Sequence, residues 1–150
     1  VFDASPCGLT LSDVAQLRIF EVTDFVASYC LERLDIKKTT APIMLHITCS
    51  TEKMGQSTSL MALASSCSSS IVVPDDIHCC GFAGDKGFSF PELNASALAL
   101  LKAQVPANCV QGVSNSRTCE IGLSKHSGIS YQSVLYLLDK QSDSKFFREH

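Results

Sequence analysis

Apolar residues fall along this chain in two alternating rhythms, short unbroken runs and longer stretches at helical spacing. Ile43-Met44-Leu45-His46-Ile47 is apolar but for one histidine and too short for a helix, so it predicts a strand buried on both faces. Ile71-Val72-Val73, closed by Pro74, reads the same way, and Val110-Gln111-Gly112-Val113-Ser114 reads as the last strand. Val1-Phe2-Asp3-Ala4 is a short extended opening that Ser5-Pro6-Cys7-Gly8 breaks. Between these runs, Ile19, Val22, Val26 and Cys30 predict one long amphipathic helix from Ser12 to Leu34. Leu60, Leu63, Ala64 and Cys67 predict another from Glu52 to Cys67, and Pro91-Glu92-Leu93 opens a third that runs to Leu101 or Lys102. Gly84, Gly87, Phe88 and Phe90 read as a loop. The tail predicts a short turn through Gly122, a loop at His126-Ser127-Gly128 and a helix from Tyr131 to Leu138.

Strand and helix therefore alternate, the pattern of a layered α/β fold with a mainly parallel sheet flanked by helices. The 150 residues make a single domain spanning 1–150, large enough to bury a core without disulfides or metal. A short echo between the segments around Cys7 and Cys119, which share Leu11 with Leu123 and Ser12 with Ser124, marks a candidate pseudo-repeat. Because the chain opens inside what reads as a strand, the expectation is the C-terminal part of a longer chain. Charge removes some function classes. Twelve Lys and Arg stand against 15 Asp and Glu, a net charge of −3, so no basic surface argues for nucleic acid or anionic lipid. No apolar run reaches the length of a membrane span.

The chemistry lies in eight cysteines. A large core and irregular spacing favour thiolates in a reducing compartment over a disulfide framework. Their placement is selective. Cys7, Cys49, the adjacent Cys79-Cys80 pair and Cys119 each follow a predicted strand, where α/β folds carry their ligand sites, whereas Cys30 and Cys67 lie on helices and Cys109 precedes a strand. Cys79-Cys80-Gly81 sets two sulfurs and an unobstructed backbone at one point of the chain. Thiolates select zinc or iron–sulfur clusters, yet paired zinc-finger knuckles and bacterial ferredoxin spacing are both absent.

At these residues the chain resembles the cysteine-rich CCG domain of heterodisulfide reductases and of the iron–sulfur components of glycolate oxidase, glycerol-3-phosphate dehydrogenase and lactate-utilisation systems. Its flanks narrow the resemblance. Asp3-Ala4-Ser5-Pro6-Cys7, His46-Ile47-Thr48-Cys49, Cys79-Cys80-Gly81-Phe82-Ala83-Gly84-Asp85-Lys86-Gly87 and Ser116-Arg117-Thr118-Cys119-Glu120 look like the C-terminal end of large FAD-linked D-2-hydroxyacid (D-lactate-type) dehydrogenases. The resemblance implies a 4Fe-4S cluster on Cys49, Cys79, Cys80 and Cys119, with Cys7 and Ser116 as additional candidates. His78, Gly81, Lys86 and Arg117 would surround it. It further implies FAD and ferredoxin-like domains upstream in the same chain, and a quinone or cytochrome as electron acceptor. The location implied is cytoplasmic, or peripheral to the inner membrane. One departure matters: Ser116-x-x-Cys119 stands where the family has Cys-x-x-Cys, leaving four thiolates in the unit.

The expected function is thus electron relay from a flavin, with no catalytic residue in this chain. Zinc on the same thiolates, a metal-free docking domain and thiol–disulfide chemistry at Cys79-Cys80 are the competing readings. Other polar residues read as structure. His46 is expected to be a hydrogen-bonded core histidine, Tyr131 and Phe88 to pack, and His126 with Ser127 lacks the elbow a nucleophile needs.

Overall fold

A computed structural model describes residues 1–2 and 19–142 of the chain. Four short strands pair throughout in parallel: β1 (Ile43–Leu45), β2 (Ile71–Val72), β3 (Gln111–Ser114) and β4 (Ser130–Ser133), in the order β2-β1-β3-β4. Among the described residues seven α-helices accompany them: α1 (Val22–Tyr29), α2 (Cys49–Lys53), α3 (Ser57–Cys67), α4 (Lys86–Ser89), α5 (Pro91–Ala97), α6 (Arg117–Ser127) and α7 (Val134–Gln141). The expected α/β layering with a parallel sheet is what forms.

The alternation of side chains along a strand divides the core into two layers. Ile43 and Leu45 of β1, with Val113 of β3, face Leu60, Leu63, Ala64 and Cys67 of α3 and Val134, Leu137 and Leu138 of α7. Met44 points the other way, into a layer with Ile77, Phe82, Leu98, Leu101, Leu123 and Tyr131. That second layer also takes in Cys80, Cys109 and Cys119, so the cysteine chemistry is built into one face of the sheet.

Several elements depart from the expected boundaries. Glu21 is extended and caps α1 through its carboxylate, which accepts from the Thr23 amide, while Phe2 forms a single bridge with Glu21, donating to the Phe20 carbonyl and accepting from the Val22 amide. Helix α1 therefore starts at Val22, the Ser12-to-Arg18 part of the expected helix lies outside the described residues, and Cys30 is the half-buried C-cap of α1, outside the buried core. The segment from Glu52 to Cys67 belongs to two helices, because Gly55 takes a left-handed conformation that ends the first. Strand β2 is only half-buried, since it forms the sheet's edge. The expected loop after Gly84 contains the short helix α4.

The tail differs most. Gly122 lies inside α6, where the Asn94 side chain occupies the space a Cβ would need, and the turn comes at Gly128, the left-handed cap of that helix. Ser130–Ser133 then form a further strand, so β3 is not the last, and α7 begins only at Val134. Tyr131 is fixed there because its ring lies over Gly112 of β3, filling the place of a side chain.

Candidate functional site

From β1 the chain crosses to β2 on one side and returns to β3 on the other, so β1 and β3 bound the point where strand order reverses. Open parallel sheets bind ligands in the crevice at the carboxyl ends of two such strands. Here β1 runs out through His46-Ile47-Thr48 into Cys49 at the first position of α2, and β3 runs out through Asn115-Ser116 into Cys119 in the first turn of α6. The two exits are tied together. The Asn115 amide donates to the Thr51 hydroxyl at 2.7 Å, and Thr51 and Thr48 hydroxyls meet at 2.8 Å. The Ser114 hydroxyl donates to the His46 carbonyl at 3.1 Å and lies 3.3 Å from His46 Nδ1. Since the hydroxyl proton goes to the carbonyl, Ser114 accepts from Nδ1–H, and His46 Nε2 is left as a bare acceptor without a partner. Burial holds this imidazole down to about 4.

The Cys79-Cys80-Gly81 turn comes to the same place from the loop after β2. Gly81 is left-handed, and a Cβ on it would stand 2.5 Å from the Leu93 carbonyl oxygen, so both backbone and packing require glycine. Asn94, buried in α5, donates its amide to the Cys80 carbonyl and rests on Gly122 of α6. It locks the turn to the helix that carries Cys119. Sequence reasoning did not single out Asn94, because nothing in the spacing of its short helix sets it apart from Glu92 and Ser96, the exposed polar residues beside it.

This framework brings Cys80 and Cys119 into contact, their sulfurs 2.6 Å apart, with the side chains only 4% and 7% exposed. Cys49 and Cys79 lie at the exposed mouth. The four cysteines are electrostatically linked. The Cys49 thiol is pushed up by burial, then by the neighbouring Cys79 thiol and by Cys80, with Lys53 opposing. The Cys119 thiol, hydrogen-bonded to Cys80, lowers Cys80 to about 7 against its burial, and the Phe82 and Cys80 amides add to the effect. Cys119 is raised by the same bond and by burial, and the Ser116 hydroxyl opposes the rise. One proton shared by two sulfurs explains both directions.

All four expected cysteines and Ser116 thus come together, whereas Cys67 and Cys109 do not join them. Cys67 is core, Cys109 donates its thiol to the Pro42 and Gln111 carbonyls, and Cys7 lies outside the described residues. The expected surroundings are altered in two places. Arg117 pairs at 3.0 Å with the buried Glu120 carboxylate, and the cation that acts on a site thiol is Lys53, one turn beyond Cys49. His78 and Lys86 are exposed.

Donor type suits a soft metal, but the sulfurs as placed do not surround one. Among the described residues no three His, Cys, Asp or Glu side chains stand at metal-holding geometry. Two thiolates on one tetrahedral zinc at about 2.3 Å would lie roughly 3.8 Å apart, so Cys80 and Cys119 would have to part by about 1 Å to share an ion. Next to the turn, a cleft of about 600 Å³ opens at the ends of β1 and β2. Among the described residues its lining carries Glu52, Asp75 and Asp76 and no Lys or Arg. No protein-family model, no curated protein and no solved structure matches the chain.

Proposed function

We propose that this chain is an electron-transfer domain whose Cys49, Cys79, Cys80 and Cys119 hold an iron–sulfur cluster of the 4Fe-4S type. The cluster would pass electrons from a flavin on an upstream domain of a D-2-hydroxyacid dehydrogenase to an acceptor. The observation that carries the reading is the convergence of four cysteines from three separated segments at the carboxyl ends of β1 and β3, while Cys67 is packed in the opposite core layer. When bound, such a cluster supplies one-electron storage and release. The chain's own residues supply the rest. The α6 N-terminus and the Phe82 amide favour negative sulfur, Gly81 lets the backbone close on the site, and Asn94 fixes the turn.

Substrate oxidation is assigned elsewhere because the cleft beside the turn is acidic. Three carboxylates without a facing Lys or Arg repel a hydroxyacid anion. The test is anaerobic reconstitution of the full chain with ferrous iron and sulfide. Broad visible absorption that bleaches on one-electron reduction is expected. A colourless chain holding zinc would instead make this a zinc-stabilised docking domain.

A further inference from the structure

We infer that Cys80 and Cys119 are a redox-active dithiol, a site of reversible disulfide formation that a hydroperoxide closes when no metal occupies the four sulfurs. The inference needs no metal for the bond itself and rests on the proposed function only for its consequence. Its ground is geometric. The two sulfurs stand 2.6 Å apart, inside the roughly 3.5 Å at which even smaller carbon atoms touch. That is about half an ångström beyond the bonded separation of roughly 2.05 Å. Both neighbouring chain segments are held in place, Cys80 by Asn94 and the left-handed Gly81, Cys119 by the first turn of α6.

The alternative pairings fare worse. Adjacent Cys79 and Cys80 diverge, one exposed and accepting from the Gly81 amide, the other buried against Cys119. Cys49 and Cys79 also hydrogen-bond through their side chains, but both are exposed, so that contact lacks the buried framework that holds Cys80 against Cys119. The expectation of thiol chemistry within the Cys79-Cys80 pair thus moves one residue inward and across the site.

The reaction balances with a hydroperoxide, ROOH, as oxidant. The Cys80 sulfur attacks the terminal peroxide oxygen, the O–O bond breaks, and the alcohol ROH leaves with one thiol proton, giving a sulfenic acid on Cys80. The Cys119 sulfur then attacks that sulfur, the S–O bond breaks, and hydroxide leaves with the Cys119 proton as water. The two sulfurs lose an electron pair and the peroxide gains it. Closing the bond removes two of four thiolates, so disulfide and metal exclude each other.

The experiment starts from the full chain, reduced and metal-free, treated with one equivalent of hydrogen peroxide, alkylated and digested with trypsin. Peptide 118–125 carries Cys119 alone, whereas peptide 54–86 carries Cys67, Cys79 and Cys80 together, so fragmentation between Cys79 and Cys80 decides the pairing. Loss of two free thiols and a crosslink from Cys80 to Cys119 is expected, retained in Cys49→Ser and lost in Cys119→Ser. A crosslink to Cys79, a Cys49–Cys79 bond, or oxidation of the exposed cysteines alone would overturn the assignment. The wild-type map stands even if a variant fails to fold. In a second arm, oxidised and reduced chains are offered iron and sulfide. The disulfide form is expected to take up none until a dithiol reductant is added, and equal uptake by both forms would overturn mutual exclusion. If the reduced chain also takes none, the cluster reading fails while the mapped disulfide stands.

Discussion

Acidification should destabilise this domain through His46, and the size of the effect follows from its surroundings. The imidazole is 1% exposed, gives its Nδ1 proton to Ser114 and has no partner at Nε2, so protonation would bury an unpaired charge. Its folded value near 4 lies below the ordinary 6.5, which the unfolded chain recovers. Between these values the unfolded state binds the extra proton, so stability is fully present above 6.5 and falls as pH drops toward 4. At about 1.36 kcal/mol per tenfold in proton affinity, the whole effect is about 3 kcal/mol, of which about 2 kcal/mol is lost between pH 7.5 and 5. Urea unfolding of the metal-free chain at those two pH values, compared with His46→Gln, isolates it, because other titrating groups are common to both proteins. The wild type should lose about 2 kcal/mol more than the variant over that interval. Parallel losses in the two proteins, or a His46 proton resonance titrating near 6.5, would refute the reasoning.

Gly81→Ala should destabilise the chain by about 2–5 kcal/mol, about 1–2 from the left-handed backbone and about 1–3 from crowding the Leu93 carbonyl. Urea midpoints measure it, and a change under about 0.5 kcal/mol, the range of ordinary surface substitutions, would show that the turn is not held as described. Tyr131→Phe should leave the chain as stable or raise it by up to about 1 kcal/mol, because the buried hydroxyl has no partner and its removal relieves that penalty. A loss above about 1 kcal/mol in the same assay would mean that the hydroxyl is satisfied after all.

The parallel α/β layering could be read from the sequence because β1 is a continuous apolar run and α3 keeps its apolar residues at helical spacing. Neither signal depends on the rest of the chain. The placement of Cys49 and Cys119 beyond strand ends could be read for the same reason. Strand β4 could not: Ser130-Tyr131-Gln132-Ser133 has a single apolar residue, and what makes it a strand is the gap at Gly112 that receives the Tyr131 ring. Gly122 misleads in the same way. Its absent side chain marks a close approach of Asn94 to α6, which sequence spacing alone does not separate from a turn. The role of Lys53 is also hidden, since the sequence reads that helix as beginning at Glu52, whereas α2 begins at Cys49 and puts the cation one turn beyond it.

The central claim is that four cysteines gathered at the ends of β1 and β3 are one metal site. The most direct measurement is iron and acid-labile sulfide per chain after anaerobic reconstitution, for the wild type, Cys119→Ser and Cys7→Ser, each confirmed folded by circular dichroism. The wild type should hold about four of each, as a 4Fe-4S cluster requires, Cys119→Ser should hold almost none, and Cys7→Ser should keep most of its iron. Full iron retention in Cys119→Ser, or a folded wild type that binds no iron, would contradict the account.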